Sequence, residues 1–171
     1  MIAARIIEPV IAVVIDAPAD RSAWYQYNHD YLDYLERVVK YIDGHYATQA
    51  TPDARLHAGT SAGGRASAYV GFELPEVFRN IAMLSPSLSL TSRPQYFEPY
   101  LSGRVRPHDQ LRIWMSAGTY EAYIHQDVQD MQAYCERIGL PTRTLCVHRG
   151  HSFGAWREAA IEAVKYFFPA K

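Results

Sequence analysis

The sequence predicts an α/β fold, a parallel sheet with helices on both faces. Three observations predict it. Apolar runs of strand length alternate with segments of helical period along the 171 residues. The first run, Val10 to Ile15, is a continuous β-branched stretch of the kind found in parallel strands covered on both faces. No repeat, low-complexity tract or linker divides the chain, so residues 1–171 read as a single domain, long enough to bury roughly 70% of its unfolded surface.

The elements follow in order. Val10–Ile15 is the first strand. From Asp30 to about Tyr46 the apolar positions Tyr31, Tyr34, Leu35, Val38, Val39 and Ile42 keep the helical period, with Asn28 or Asp30 as N-cap. Arg55–Ala58 is a short strand, and a helix runs from about Gly63 to Phe72, with Pro75 just past it. Ile81–Leu84 is the third strand, followed by an irregular Pro- and Ser-rich stretch from Ser85 to about Gln110. Leu111–Met115 is the fourth strand, leading to a helix from Ala122 to Ile138 that Gly139 and Pro141 stop. Thr142–Val147 is the fifth strand, and Ala155–Phe168 the last helix, ended by Pro169. About five parallel strands result. In such sheets ligands sit beyond the carboxyl ends of the strands, so the strand-to-helix turns are where chemistry is expected.

Composition excludes several function classes. A formal net charge of -1 gives no reason to expect a nucleic-acid or anionic-membrane partner, either of which favours clustered Lys and Arg. Two cysteines, Cys135 and Cys146, are too few for a disulfide framework and lack a neighbouring Cys or His cluster that would make a metal site. Tyrosine is frequent, with 13 residues, and aromatic packing explains these better than a substrate-facing surface. Glu8, Pro9 and Asp16 bound the first apolar run too closely for a leader peptide or a membrane span, and a cytoplasmic location is expected on that ground.

One turn carries a distinctive motif. Gly59-Thr60-Ser61-Ala62-Gly63 is a G-x-S-x-G lying after an expected strand and before an expected helix. A serine on so sharp a turn brings neighbouring backbone close, and a β-carbon at either flanking position is expected to clash. The turn lifts the Ser61 hydroxyl above the sheet as a candidate nucleophile. It also aims the Ala62 N–H, at a helix N-terminus, toward an oxyanion. The bland alternative is a small-residue helix start that only permits tight packing.

A serine nucleophile needs a base. Among seven histidines His151 is the candidate, because Gly150-His151-Ser152-Phe153 follows the last strand and precedes the last helix. His148 makes an H-x-x-H with it, but no third ligand is near, so no metal is expected. Glu121, the first carboxylate past the fourth strand in Ser116-Ala117-Gly118-Thr119-Tyr120-Glu121, is the candidate acid that would orient the imidazole. The weaker alternative is an ordinary helix-start glutamate favoured by the macrodipole, which could pair with His125 four residues on. Asp127 and Asp130 are weaker candidates for the acid, lying further along the helix.

These residues support a resemblance. From about Val10 to Pro169 the chain resembles the esterase group of α/β-hydrolases that includes the enterochelin (siderophore trilactone) esterases and S-formylglutathione hydrolases. The landmarks are Val13-Val14-Ile15-Asp16 with Arg21, Ala58 to Gly64, Ala117 to Glu121, and Gly150-His151-Ser152-Phe153 with Trp156-Arg157. The Trp-Arg pair is most similar to the enterochelin esterase branch. The resemblance implies Ser61 as nucleophile, His151 as base and Glu121 as acid, in an α/β-hydrolase-like three-layer sandwich. It also implies a departure at the front. Such hydrolases place several strands before the elbow strand, and one of the absent strands carries the turn that supplies a second oxyanion donor. The chain therefore reads as N-terminally truncated, and Asp16-Ala17-Pro18 lacks the Gly-rich character of that turn.

The expected function is serine-dependent hydrolysis of a small-molecule carboxylic ester through an acyl-enzyme, with no cofactor. The alternative is a truncated, catalytically silent hydrolase-fold protein that binds a ligand. Arg93 and Arg104 lie where an acidic or catecholate substrate could meet them, but solvated surface arginines are the favoured account. Two outcomes are expected for the sheet. Val10–Ile15 slides across to pair directly with Arg55–Ala58, or a second chain, as in a homo-oligomer, covers the open edges. The first is favoured, because it needs no partner.

Overall fold

The computed structural model describes residues 1–17, 19–90 and 96–170. Its sheet is four-stranded and entirely parallel, in the order β1 (Leu56–Thr60), β2 (Asn80–Leu84), β3 (Arg112–Gly118) and β4 (Thr142–Val147). The helices are α1 (Arg21–Trp24), α2 (His29–His45), α3 (Ala62–Glu73), α4 (Glu98–Leu101), α5 (Ala122–Ile138) and α6 (Phe153–Phe167). Strand order follows chain order, and the strands run parallel because crossover connections, α3 after β1 and α5 after β3, carry the chain back to the same end.

Alternation along the central strands splits the core into two layers. Ile81 and Met83 of β2, with Ile113 and Met115 of β3, pack toward α2, α3 and α5 in the larger cluster. Ala82, Leu84 and Trp114 point the other way, onto Ala159, Ala163 and Phe167 of α6. Burying each such large apolar side chain contributes about 1.5–3 kcal/mol before entropy is counted. The result is the expected three-layer α/β sandwich. Local signals set the helix ends. The Asn28 side chain caps α2 by accepting from the Asp30 N–H at 2.8 Å. Gly139, with φ +78°, stops α5 in the left-handed region.

The strand count departs from expectation at one place. Val10–Ile15 forms no strand, and the sheet has four strands among the described residues rather than about five. The expected direct pairing with β1 is absent: β1 pairs only with β2, and its other edge faces a cleft. The apolar run instead lines that cleft, with Val14 88% exposed. Its upstream end is tied elsewhere. Ile7 bridges to Pro169, and the Glu8 N–H donates to the Phe168 carbonyl at 3.0 Å, which anchors the chain beyond the end of α6. β-branched composition describes a chain that suits a sheet; it does not supply the neighbour whose backbone the strand needs.

Candidate active site

The site grows from the C-terminal ends of β1, β2 and β3 and from the β4–α6 turn. β1 ends at Thr60, α3 begins at Ala62, and Ser61 between them holds φ +53° and ψ -117°. That conformation is strained for a residue with a β-carbon and is retained where a site uses it. Three backbone bonds fix it: the Ser61 N–H donates to Leu84 O at 2.9 Å, and the N–H groups of Arg65 and Ser87 each donate to Ser61 O at 3.1 Å. The first motif glycine has the expected steric reason. A β-carbon on Gly59 would stand 2.3 Å from the Gly63 carbonyl oxygen. The expectation fails for Gly63, where an added β-carbon would meet nothing within 4 Å. The second tight position is Gly64, whose β-carbon would lie 3.0 Å from Pro86.

The three sequence-chosen side chains come together. His151 Nε2 lies 3.0 Å from the Ser61 hydroxyl, and His151 Nδ1 is hydrogen-bonded to Glu121 Oε1. Glu121 is 5% exposed, and its second oxygen accepts from the Ser85 hydroxyl at 2.9 Å and from the Gly118 N–H. Gly118 is needed there, since a β-carbon would collide with the Arg149 carbonyl at 2.1 Å. The carboxylate fixes the imidazole tautomer: Nδ1 carries a proton toward Glu121, leaving Nε2 free to accept from Ser61. Trp156 packs its ring against His151 edge-on at 4.8 Å, holding the imidazole from the side. The Ser61 side chain makes no cap bond to α3, so the first N–H groups of that helix, Ala62 first, lie uncapped beside the hydroxyl.

The other candidates go elsewhere. His125 does not pair with the Glu121 side chain; its Nδ1 lies 3.6 Å from Cys146 Sγ. His148 sits between Thr119 and Tyr120 on the surface. No group of three potential metal ligands occurs among the described residues. Asp130 accepts from Gln126, and Asp127 from the N–H groups of Ser89 and Leu90. Arg104 pairs with Glu98 at the surface, and Arg93 lies outside the described residues.

Sequence reasoning passed over Ser85 and Ser87, treating them as the start of an irregular stretch. The available signal was their position directly past a buried strand. It also passed over a buried chain of hydrogen bonds beneath the turn. Ser67 donates to the Gly63 carbonyl at 3.0 Å, so its oxygen accepts from His57 Nδ1 at 3.0 Å, and His57 Nε2 accepts from Tyr31 at 2.9 Å. This neutral histidine joins α2, β1 and α3, and burial holds its pKa down to about 4.

A cleft of about 1940 Å³ opens from Ser61 and His151 along the free edge of β1, with Phe153, Trp156 and Ile15 among its walls. A hydroxyl hydrogen-bonded to an oriented imidazole, with uncapped helix N–H groups beside it, can transfer its proton and attack an electrophilic carbon.

Comparisons with known proteins bear on the family and the fold. A family model described as "Putative esterase" matches residues 1–167. The enterobactin esterase of Shigella flexneri, solved in the presence of enterobactin, is similar at TM-score 0.79 and 25% identity, over 90% of this chain and 40% of that one. The S-formylglutathione hydrolase of Staphylococcus aureus is similar in fold at TM-score 0.67 and 20% identity, over 86% of this chain and 64% of that one. A fluorophosphonate-binding serine hydrolase of Staphylococcus aureus gives TM-score 0.67 and 19% identity, over 85% and 67%. The chain thus spans 40% of the enterobactin esterase it matches. A search of curated proteins found no match.

Proposed function

Since the chain belongs to the esterase family whose model it matches over residues 1–167, we propose that it hydrolyses small-molecule carboxylic esters through a serine acyl-enzyme. The observation that carries this reading is the relay in which Ser61 Oγ lies 3.0 Å from His151 Nε2 while His151 Nδ1 is held by buried Glu121.

In this mechanism Ser61 attacks the ester carbonyl as His151 takes its proton at Nε2. The Glu121 carboxylate stabilises the imidazolium across the Nδ1–H bond and is not itself protonated. Negative charge develops on the former carbonyl oxygen, and the Ala62 N–H at the start of α3 donates to it, aided by the helix dipole. Collapse breaks the bond to the alcohol oxygen, which leaves with the proton from His151. Water then attacks the Ser61 ester with His151 again as base, releasing the acid and restoring the serine. The relay needs no cofactor.

The test is hydrolysis of p-nitrophenyl acetate by the purified chain. We expect turnover in the native protein and its loss in Ser61→Ala. Turnover that survives in Ser61→Ala overturns the proposal.

A further inference from the structure

Between β2 and α4 the chain runs Ser85-Pro86-Ser87-Leu88-Ser89-Leu90, and alternate residues reach different parts of the site. Ser85 donates its hydroxyl to Glu121 Oε2 at 2.9 Å. Ser87 donates its N–H to the Ser61 carbonyl at 3.1 Å, and its hydroxyl lies 3.4 Å from the Ser61 hydroxyl. Ser61 gives its own proton to His151, so in this contact Ser87 is the donor. One six-residue segment therefore touches both the proposed nucleophile and the proposed acid.

The segment does not hold that shape by its own preference. Ser85 has φ +45° and Ser89 φ +57°, a region that residues with a β-carbon occupy only where their surroundings impose it. At the near end the Ser85 N–H is fixed on Ser116 O at 2.9 Å. At the far end the imposing group is Asp127 of α5. Its Oδ2 accepts from the Ser89 N–H at 2.7 Å and its Oδ1 from the Leu90 N–H at 3.0 Å. Asp127 is 3% exposed, and no ion pair joins it among the described residues. Packing alone does not call for such a group. A buried carboxylate is costly unless hydrogen-bonded, and here the two backbone donors compensate it; an apolar side chain in its place would leave both N–H groups without an acceptor. Desolvation pushes its pKa up, and the two backbone donors oppose that shift.

We infer that Asp127 is a positioning residue for the site: it pins the segment 85–90, through which Ser85 sets Glu121 and Ser87 sets Ser61. The inference rests on the reading of Ser61, His151 and Glu121 as a catalytic triad. Asp127 touches none of the three, and its effect travels through backbone.

The test follows the low-field NMR resonance of the His151 Nδ1 proton in the full chain, native and as Asp127→Asn, Ser85→Ala and the double variant. Circular dichroism checks that each is folded. Asn keeps the shape but offers one oxygen acceptor where two are used. We expect the resonance to move upfield and broaden in both single variants, with the double variant no worse than the larger single. On p-nitrophenyl acetate we expect kcat to fall about 10- to 100-fold in Asp127→Asn with KM little changed, since misplacement rather than lost binding is the cause. Should Asp127→Asn fail to fold, Asp127→Glu, which keeps the charge and shifts the carboxylate by one carbon, should move the resonance the same way. A folded Asp127 variant with the native resonance overturns the inference, and so does a double variant whose shift is the sum of the singles. The resonance does not depend on turnover, so these outcomes separate from a failure to hydrolyse esters.

Discussion

Glu121 gives His151 only one of its two carboxylate oxygens; Ser85 and the Gly118 N–H hold the other. The carboxylate therefore cannot rotate away from the imidazole without breaking two further bonds, and it is poised before any substrate arrives. In Glu121→Gln one position must present an amide N–H where an acceptor is required. Esterase activity is expected to fall steeply, yet about 10- to 100-fold less than on loss of Ser61, because orientation is damaged while the nucleophile and base remain. Steady-state rates on an activated ester check this. Full activity in Glu121→Gln would remove Glu121 from the relay.

Ser61 and His151 act as one unit across the 3.0 Å contact. His151→Ala is expected to cost as much as Ser61→Ala, and the double variant little more than either. Single-turnover rates of the three variants measure it. Additive losses would mean that the two residues contribute separately.

The glycines of the turn make a contrast that stability can read. Gly59→Ala drives a β-carbon to 2.3 Å from the backbone of Gly63, which cannot swing aside. A loss of about 1–3 kcal/mol or more is expected, as for overpacking elsewhere. Gly63→Ala meets no atom within 4 Å inside α3, and is expected to be neutral or stabilising by about 0.5–1 kcal/mol. Chemical denaturation of the two variants tests the pair. Equal destabilisation would contradict the geometry.

His57 makes stability depend on acidity. Its folded pKa is depressed to about 4 from an ordinary 6.5, so between those values the unfolded chain binds a proton that the folded chain refuses. Its contribution is complete above pH 6.5 and is lost as pH falls toward 4, at about 1.4 kcal/mol per pH unit within that window. His57→Gln is expected to lower stability at neutral pH and to flatten this slope. Urea midpoints across the window supply the measurement. An unchanged slope in the variant would place the acid sensitivity elsewhere.

The sequence showed most of this arrangement, for reasons visible in particular residues. β4 and α5 were legible because their signals are local: a short stretch with β-branched Thr142, Thr144 and Val147 between Pro141 and Gly150, and an apolar period stopped by Gly139. Ser61, His151 and Glu121 were legible because each stands in a strand-to-helix turn, where an α/β sheet carries its chemistry. Val10–Ile15 misled because its composition matches a strand, while the neighbour that decides strand formation cannot be read from the segment itself. The Gly63 expectation failed similarly. The motif shows that small residues are required, and only coordinates show that Gly59 and Gly64 are the crowded ones. The roles of Ser85, Ser87 and Asp127 stayed hidden because no local motif marks them: their partners lie 26 to 38 residues away, and none of the three stands in a recognisable strand-to-helix turn of the kind that marked Ser61, His151 and Glu121.

Every role proposed for this site depends on Ser61 being a nucleophile activated by His151. Covalent capture by a fluorophosphonate probe tests it most directly, with the modified residue located by mass spectrometry of the intact chain and its peptides. One adduct per chain is expected, on Ser61, abolished in Ser61→Ala and strongly slowed in His151→Ala. No adduct on the folded native chain, or an adduct on a residue other than Ser61, would contradict it.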